Sequence, residues 1–236
     1  MRINKFLSEI GFCSRRQADK FIESKLVTIN GNVAELGSQV DENKDVVKVG
    51  GKLVVRKEET FEYLIFNKPK GIECTTDIRV KGNIIDYIKY HKRIFPIGRL
   101  DKNSHGLIFM TSDGDLVNKV LRAENNHEKE YVVKVNQPIT NEFVSKMSNG
   151  IPILGTKTKK CVVKKLGEFE FSIILTQGLN RQIRRMCEYL DYQVKDLKRV
   201  RIMHINLDVP SGKYRKFSSE ELEILNGLIK DSNKSL

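Results

Sequence analysis

The sequence has few cysteines and histidines, and their spacing matches neither a disulfide framework nor a metal site. The four cysteines lie far apart, at positions 13, 74, 161 and 187, and the four histidines are equally scattered. A structural zinc site needs such residues at short, paired spacings. We therefore expect reduced thiols and no structural zinc. A chain of 236 residues is long enough to fold on a hydrophobic core alone.

Long hydrophobic runs and common nucleotide or hydrolase motifs are also missing. The first residues, Met1 to Phe6, lack the apolar region of a secretory signal, and no apolar run is longer than a strand. The chain has no phosphate-binding G-x-x-x-x-G-K-[ST], no G-x-G-x-x-G and no G-x-S-x-G. We expect a cytoplasmic protein that does not contact membranes, and no motif supports an ATPase, a dehydrogenase or a serine hydrolase.

The chain has an excess of positive charge, with 42 lysines and arginines against 30 acidic residues. Residues 1–60 hold 11 basic and 9 acidic side chains, so the remaining 31 basic and 21 acidic ones give the rest of the chain a net charge of +10. An excess of this size favours a polyanionic partner.

Two helices and a hairpin are predicted near the N-terminus. Apolar residues at helical spacing predict a helix over residues 3–10, and Ser14 with Gln17 forms the capping-box pattern of a second helix. The pattern then alternates, and Asn30-Gly31 predicts a hairpin with a type I′ turn. Another strand is expected around residues 46–49.

The composition also suggests where this segment ends. Gly50-Gly51 and the charged residues 56–59 are typical of a linker. We therefore divide the chain into two domains, residues 1–60 and residues 61–236.

Arg15 and Arg16 stand in the first turn of the predicted second helix, where the helix dipole disfavours cations. Taken alone, the two residues fit a solvated surface as well as a phosphate-binding helix start. The stretch from Arg2 to Gly31 resembles the S4 RNA-binding module, and this resemblance favours RNA.

The larger segment mixes strands with irregularly placed helices, which indicates an α+β fold. A strand around residues 63–66 runs into the rigid, cationic turn Asn67–Gly71, where Lys68 and Lys70 could meet phosphates. Residues 95–106 read as one polar loop that leads into an apolar strand. Loops delivered by rigid elements often carry catalytic groups.

Arginines crowd a second helix start. Arg181, Arg184 and Arg185 follow a turn at Gly178, and Ile183 belongs to the apolar face of the same helix. The segment further offers one carboxylate in a basic loop, Asp101. Nearby arginines would keep such a carboxylate ionised and suited to nucleophilic work. On spacing alone, a turn or N-cap role for Asp101 is the simpler interpretation.

Three short motifs in one order carry a family resemblance. They are Gly98-Arg99-Leu100-Asp101 followed by Ser104-His105-Gly106-Leu107, the strand with Tyr131, and Gln182-Ile183-Arg184. Behind an S4-like module, they resemble the RsuA/RluA group of pseudouridine synthases, and the stretches around them are most similar to its RluF branch. The resemblance covers nearly the whole chain. It implies a catalytic domain with a mixed, mostly antiparallel sheet flanked by helices.

The resemblance implies that the protein isomerises uridine to pseudouridine within RNA, without metal or organic cofactor. Asp101 matches the essential aspartate of the family, which attacks either the ribose C1′ or the uracil ring. Tyr131 matches the tyrosine that stacks on the uracil and is the candidate for removing the C5 proton; without the family it would read as a core aromatic residue. Arg184 matches the basic residue that pairs with the aspartate.

The remaining site residues concern substrate binding. Ile183 matches an apolar wall of the pocket, and Arg99 matches a side chain that enters the space left by the flipped nucleotide. Phosphate contacts are expected from Lys68, Lys70, Arg181, Arg185 and the lysines at 157, 159, 160, 164 and 165, so that binding falls with salt.

The last strand departs from the family pattern, with Tyr214 where Trp is usual and Lys216 where an acidic residue is usual. These departures concern its packing or RNA contacts.

Ribosomal RNA is the expected substrate, with the large subunit favoured and tRNA a further candidate. We expect no DNA partner, and nothing requires more than a monomer. The main alternative is a non-catalytic RNA-binding or ribosome-assembly factor; a more remote one is a nucleic-acid glycosidase.

Overall fold

A computed structural model describes residues 1–55, 61–121 and 126–230, apart from the side chain of residue 118. The chain forms two compact units, Met1–Phe61 and Glu62–Leu236. The predicted linker at residues 56–59 lies outside the described residues. No helix in the described part is long and apolar enough to cross a membrane.

The N-terminal unit is a four-stranded antiparallel sheet with two helices. Its elements are α1 (Ile3–Glu9), α2 (Arg15–Glu23), β1 (Val27–Ile29), β2 (Asn32–Val33), β3 (Val47–Val49) and β4 (Lys52–Val54). The strands lie in the order β2-β1-β3-β4. Ile3, Leu7 and Ala18 of the helices are fully buried, together with Val27 of the sheet.

Local interactions explain these elements. The Ser14 hydroxyl accepts a hydrogen bond from the Gln17 backbone N–H, and the Gln17 side chain accepts one from the Ser14 N–H, so the predicted capping box is confirmed. Asn30 and Gly31 have φ values of +52° and +85°, as the predicted type I′ turn requires. The linker interpretation of Gly50-Gly51 is wrong, because these glycines form the turn of a β3–β4 hairpin that the sequence did not reveal.

The larger unit is built on a nine-stranded sheet. Its elements are β5 (Tyr63–Lys68), α3 (Ile84–Ile88), β6 (Phe95–Ile97), β7 (His105–Thr111), α4 (Gly114–Leu121), β8 (Lys129–Val135), α5 (Asn141–Ser148), β9 (Pro152–Ile153), β10 (Thr156–Lys157), β11 (Val162–Gly167), β12 (Glu170–Leu175), α6 (Gln182–Tyr189), β13 (Val194–Ile202), β14 (Ile205–Asn206), β15 (Tyr214–Lys216) and α7 (Ser219–Ile229).

The strand order is β11-β12-β8-β13-β7-β5-β15, with β6 beside β7 and β14 beside β13, while β9 and β10 form a separate hairpin. Among the described strands of the large sheet, only the β7–β13 pair is parallel. The predicted mixed, mostly antiparallel sheet flanked by helices, and with it the α+β class, is confirmed.

The hydrophobic core divides along the sheet. One cluster packs α5 and α6 on β8 and β12, around Phe143, Phe171 and Met186. Two further clusters cover the two faces of β5 and β7. Tyr131 on β8 contacts both the first cluster and one of the others, so it stands where the two halves of the sheet meet.

One sequence interpretation needs correction. Residues 95–106 are not one loop: Phe95–Ile97 forms β6 and pairs with β7, so the loop is shortened to residues 98–104. Towards the C-terminus, β13 and β14 form a hairpin, and Met203 turns the chain between them with φ of +53°.

Glu62 is a buried carboxylate at the start of the larger unit, with an exposure of 6%. It accepts a hydrogen bond from the Tyr90 hydroxyl at 2.8 Å and pairs with the ammonium groups of Lys216 at 3.0 Å and Lys92 at 3.2 Å. The Tyr90 bond, helped by these cations, lowers the pKa of Glu62 from 4.5 to about 2. The two departures in the last strand are thereby explained: Lys216 pairs with Glu62, and Tyr214 packs edge-on against Tyr90.

Replacing Glu62 tests this buried pairing. Because its pKa is lower in the folded protein, the carboxylate stabilises the fold fully above pH 4.5 and loses that effect as the pH falls towards 2. We expect Glu62→Gln to lower the free energy of unfolding by about 2 kcal/mol at pH 7, and by progressively less below pH 4.5. Urea unfolding at several pH values measures this. The exposed Glu223→Gln is the control; a Glu62→Gln loss that is the same at pH 3 and pH 7 contradicts the assignment.

Candidate active site

A pocket of about 120 Å³ opens where the loop before β7 meets the start of α6. At about 30 Å³ per water molecule, this volume corresponds to roughly four waters, which leaves room for a planar six-membered ring. The pocket is lined by Arg99, Leu100, Asp101, Ser104, Tyr131, Leu175, Gln177, Gly178, Leu179, Arg181, Gln182, Ile183, Arg184 and Leu197. It therefore contains six of the site residues predicted from the sequence: Arg99, Asp101, Tyr131, Arg181, Ile183 and Arg184.

Asp101 is held between two arginines. Its Oδ2 lies 3.7 Å from Nε of Arg184 and 3.8 Å from Nη1 of Arg181. The Arg184 side chain is only 12% exposed, whereas Asp101 is 35% exposed and so stays open to a ligand. The two arginines orient an accessible carboxylate, and a carboxylate can act as a nucleophile.

Arg184 also fixes the loop that carries Asp101. Its Nη2 donates to the carbonyl of Asn103 at 3.3 Å and to the hydroxyl of Ser104 at 3.1 Å. Its buried Nε has no hydrogen-bond partner among the described residues. This leaves Nε available to the carboxylate of Asp101, so one side chain both shapes the loop and pairs with its central residue.

The chain enters α6 through a strained residue. Arg181 is the N-cap of the helix and has a left-handed conformation, with φ of +50°. Such backbone costs about 1–2 kcal/mol for a residue other than glycine. Because Ile183 and Met186 are buried on the apolar face of α6, the helix is firmly seated and keeps Arg181 at the rim of the pocket.

The other walls are apolar or aromatic. Tyr131 on β8 provides an aromatic face, while Ile183, Leu175 and Leu197 are buried and provide aliphatic contacts. Arg99, two residues before Asp101, also lines the pocket. The arrangement suits a flat, partly polar ring that lies against hydrophobic walls within reach of a carboxylate.

Lys68, a predicted phosphate contact, donates to backbone carbonyls and is not presented on the surface. It is the last residue of β5 and has no exposed surface. Its ammonium donates to the carbonyls of Pro69 at 2.9 Å and Lys102 at 3.4 Å, and burial lowers its pKa. Lys68 therefore holds the loop that carries Asp101 through the carbonyl of Lys102. The sequence pattern suggested an exposed turn because Lys68 directly precedes Pro69.

Arg199 on β13 is a residue whose place the sequence did not reveal. It is 3% exposed, its Nε donates to the Leu107 carbonyl at 2.6 Å, and its guanidinium carbon lies 5.9 Å from the centre of the Tyr131 ring. In the sequence Arg199 is one of several basic residues within the stretch that forms β13. Its alternation with the buried Leu197 is the only sign that it faces inwards.

Three predicted binding residues lie apart from the pocket lining. Arg185 donates to the carbonyl of Asn180 at 3.1 Å. Arg15 and Arg16 are exposed in the first turn of α2, within the N-terminal unit. No group of three or more His, Cys, Asp or Glu residues that could hold a metal ion occurs in the described part of the chain.

Comparisons with known proteins agree on one family. Residues 62–189 match the family model described as RNA pseudouridylate synthase, and residues 1–46 match the S4 domain. The chain is 53% identical over 238 aligned residues to the dual-specificity RNA pseudouridine synthase RluF of Escherichia coli K12, covering all of this chain and 82% of that protein.

More distant relatives cover the chain just as fully. The ribosomal large subunit pseudouridine synthase B of Bacillus subtilis 168 is 34% identical, over 96% of each protein. A crystal structure of a pseudouridylate synthase superposes with a TM-score of 0.70 at 27% identity, covering 95% of this chain and 99% of that one.

Gly106 allows the close approach of β7 to β13 beside the pocket. Its φ is +103°, and a Cβ added there would lie 2.2 Å from the carbonyl oxygen of Arg199. We expect Gly106→Ala to lower the free energy of unfolding by at least ~2 kcal/mol. Gly114→Ala, where nothing lies within 4 Å, is the matched control and should change it by less than about 1 kcal/mol. Urea unfolding distinguishes them; equal stability of both variants contradicts the close approach.

Proposed function

The chain belongs to the RNA pseudouridylate synthase family and is an RNA pseudouridine synthase, and we propose that it modifies uridine in large-subunit ribosomal RNA with Asp101 as the nucleophile. The observation that carries the assignment of Asp101 is its accessible carboxylate, which shares one pocket with Tyr131 and lies within 4 Å of two arginines. The motifs that suggested the family from the sequence are confirmed by the family match.

The reaction exchanges one bond between base and sugar for another. The C1′–N1 bond breaks, and its electron pair leaves with the uracil. The ring then turns, C5 bonds to C1′, the C5 proton is lost and N1 takes up a proton. The carboxylate of Asp101 attacks either C1′ or the uracil ring, and it is released again when the new bond is complete. No co-reactant is required, because atoms and electrons balance within the nucleotide.

The pocket supports this sequence of events. Arg184 and Arg181 hold the carboxylate of Asp101 oriented for attack. The Tyr131 ring stacks on the uracil and its hydroxyl is the candidate acceptor for the C5 proton. Ile183 and Leu197 exclude water, so the detached base stays beside the sugar until C5 has turned towards it.

Access to the pocket requires that the nucleotide leave its helix. Flipping a base costs a few kcal/mol, and Arg99 at the pocket rim offsets part of this by filling the vacated space. Arg181 and Arg185 provide cations for the flanking phosphates, together with the surface lysines at 157, 160 and 164. Lys70 and Lys165 are already engaged, with Asp196 and with the carbonyl of Ile139 respectively.

The N-terminal unit provides a second RNA contact. Its match to the S4 domain includes the exposed Arg15 and Arg16 at the start of α2, where backbone N–H groups and guanidinium groups together suit a phosphate. We assign the protein to the cytoplasm and treat it as a monomer. The Escherichia coli relative is named a dual-specificity enzyme, which agrees with a second target. As the family resemblance suggested, a tRNA uridine is the second candidate.

The nucleophile is tested by Asp101→Asn. The amide cannot attack, so we expect the turnover of uridine to fall below detection while the affinity for RNA changes less than threefold. Release of tritium from RNA that contains 5-tritiated uridine measures turnover, and filter binding measures affinity. Asp191→Asn, an exposed aspartate on a turn, is the control. Tritium release by Asp101→Asn at the wild-type rate means that another group is the nucleophile.

The target is tested in cells that lack the protein. We expect carbodiimide modification and primer extension of their total RNA to lose one stop in large-subunit rRNA, and the wild-type chain to restore it while Asp101→Asn does not. Loss of a stop in tRNA alone would replace the proposed substrate. If every stop persists, the chain acts as an RNA-binding or assembly factor, and free uracil with an abasic site instead of pseudouridine would indicate a glycosidase.

A further inference from the structure

Arg199 is a buried cation without an acidic partner. Only 3% of it is exposed, and in the described part of the chain its guanidinium pairs with no carboxylate. Its Nε donates to the backbone carbonyl of Leu107, while its buried Nη2 has no hydrogen-bond partner among the described residues. A buried charge that is not neutralised by a counter-ion lowers the stability of the fold, so the presence of Arg199 at this position indicates a role other than stability.

The register of the sheet places this cation against Tyr131. Arg199 on β13 is the direct cross-strand partner of Tyr131 on β8, so the two side chains lie on one face of the sheet. The guanidinium carbon is 5.9 Å from the ring centre, within the range of a cation–π contact. Arg199 does not line the pocket, whereas Tyr131 does. The charge therefore acts on a ligand through the tyrosine.

Two more buried cations lie close enough to Arg199 to interact with its charge. Lys68 has no exposed surface and Lys129 is 8% exposed; their ammonium groups donate to backbone carbonyls. Burial lowers the pKa of both, and the charge of Arg199 lowers each further. These buried cations form a floor behind Tyr131, and Arg199 is the one that stays ionised when buried.

Such a floor matches the charge that develops in the reaction. On either route of attack, the electron pair of the C1′–N1 bond moves onto the uracil ring, and water is excluded at that stage. A fixed positive charge in a low-dielectric site stabilises a developing anion more than the same charge does in water.

This inference rests on the proposed function. We propose that Arg199 is a positioning residue for the isomerisation: its guanidinium contacts the Tyr131 ring and keeps it in place, and through that ring it stabilises the anionic, detached uracil. The buried positive charge costs stability, and its effect on the reaction explains why it is there. Asp101 remains the nucleophile, and no step beyond those given above is added.

The test compares variants that keep or remove the charge. Arg199→Gln retains an N–H donor but is neutral, and Arg199→Met is a second neutral variant in case the first does not fold. Arg199→Lys retains the charge. The control is Arg201→Gln, on the same strand, which loses ion pairs with Glu128 and Glu130 instead.

Single-turnover rates at saturating enzyme separate chemistry from RNA binding. We expect a neutral variant to slow the isomerisation about 100-fold, with the dissociation constant for RNA changed less than threefold. Arg199→Lys should stay within tenfold of the wild type and Arg201→Gln within threefold. A neutral variant within threefold of the wild type, or Arg199→Lys as slow as the neutral variant, overturns the proposal.

RNA with 5-fluorouridine at the target provides a readout that a purely structural role would not move. Fluorine withdraws electrons and stabilises the ring anion by itself. The loss of rate caused by the neutral variant should therefore be at least tenfold smaller on this substrate than on uridine. The rate is measured as the disappearance of 5-fluorouridine in nuclease digests. Equal losses on both substrates overturn the proposal. Failure of the proposed function looks different: the wild type would then form no pseudouridine, or Asp101→Asn would remain active.

Discussion

The insertion of β13 between β7 and β8 is the constraint on which the rest of the larger unit depends. Its parallel contact with β7 is short and close, because Gly106 has no side chain to separate the two backbones. The same strand pairs with β8 on its other side. The loop with Asp101 leads into β7 and Tyr131 lies on β8, so the distance between carboxylate and aromatic ring is set by one strand that belongs to both halves.

Charge is distributed around this junction in two layers. At the pocket, Arg184 and Arg181 are paired with Asp101 and are partly exposed to a ligand. Below it, Lys68 and Arg199 are buried and satisfied mainly by backbone carbonyls, which carry no net charge. The upper layer orients a nucleophile, whereas the lower layer places buried cations behind Tyr131.

Much of the fold was readable from local patterns. The capping box at Ser14 and the turn at Asn30-Gly31 depend on neighbours three or fewer residues apart, and both form as predicted. The family motifs likewise predicted which residues line the pocket, since Asp101, Tyr131 and Arg184 are each tied to a recognisable stretch.

Features that depend on distant partners were not readable. The burial of Lys68 is decided by the carbonyl of Lys102, and that of Arg199 by pairing with β7 and β8. Gly50-Gly51 has the same composition in a linker and in a hairpin, and only the register of β3 with β4 separates the two. A cationic residue next to a turn is usually exposed, so the sequence alone predicts an exposed side chain for Lys68, whereas the structure buries it.

The position of β13 in the chain has a consequence for synthesis on the ribosome. Strands β5 to β8 and β12 emerge earlier, yet β7 and β8 are not neighbours until residues 194–202 fill the gap between them. The contact order of the central junction is therefore high, and such pairings form late. Most of the nascent chain leaves the ribosome before the catalytic groups can meet, whereas the N-terminal unit is completed much earlier in synthesis and can fold first.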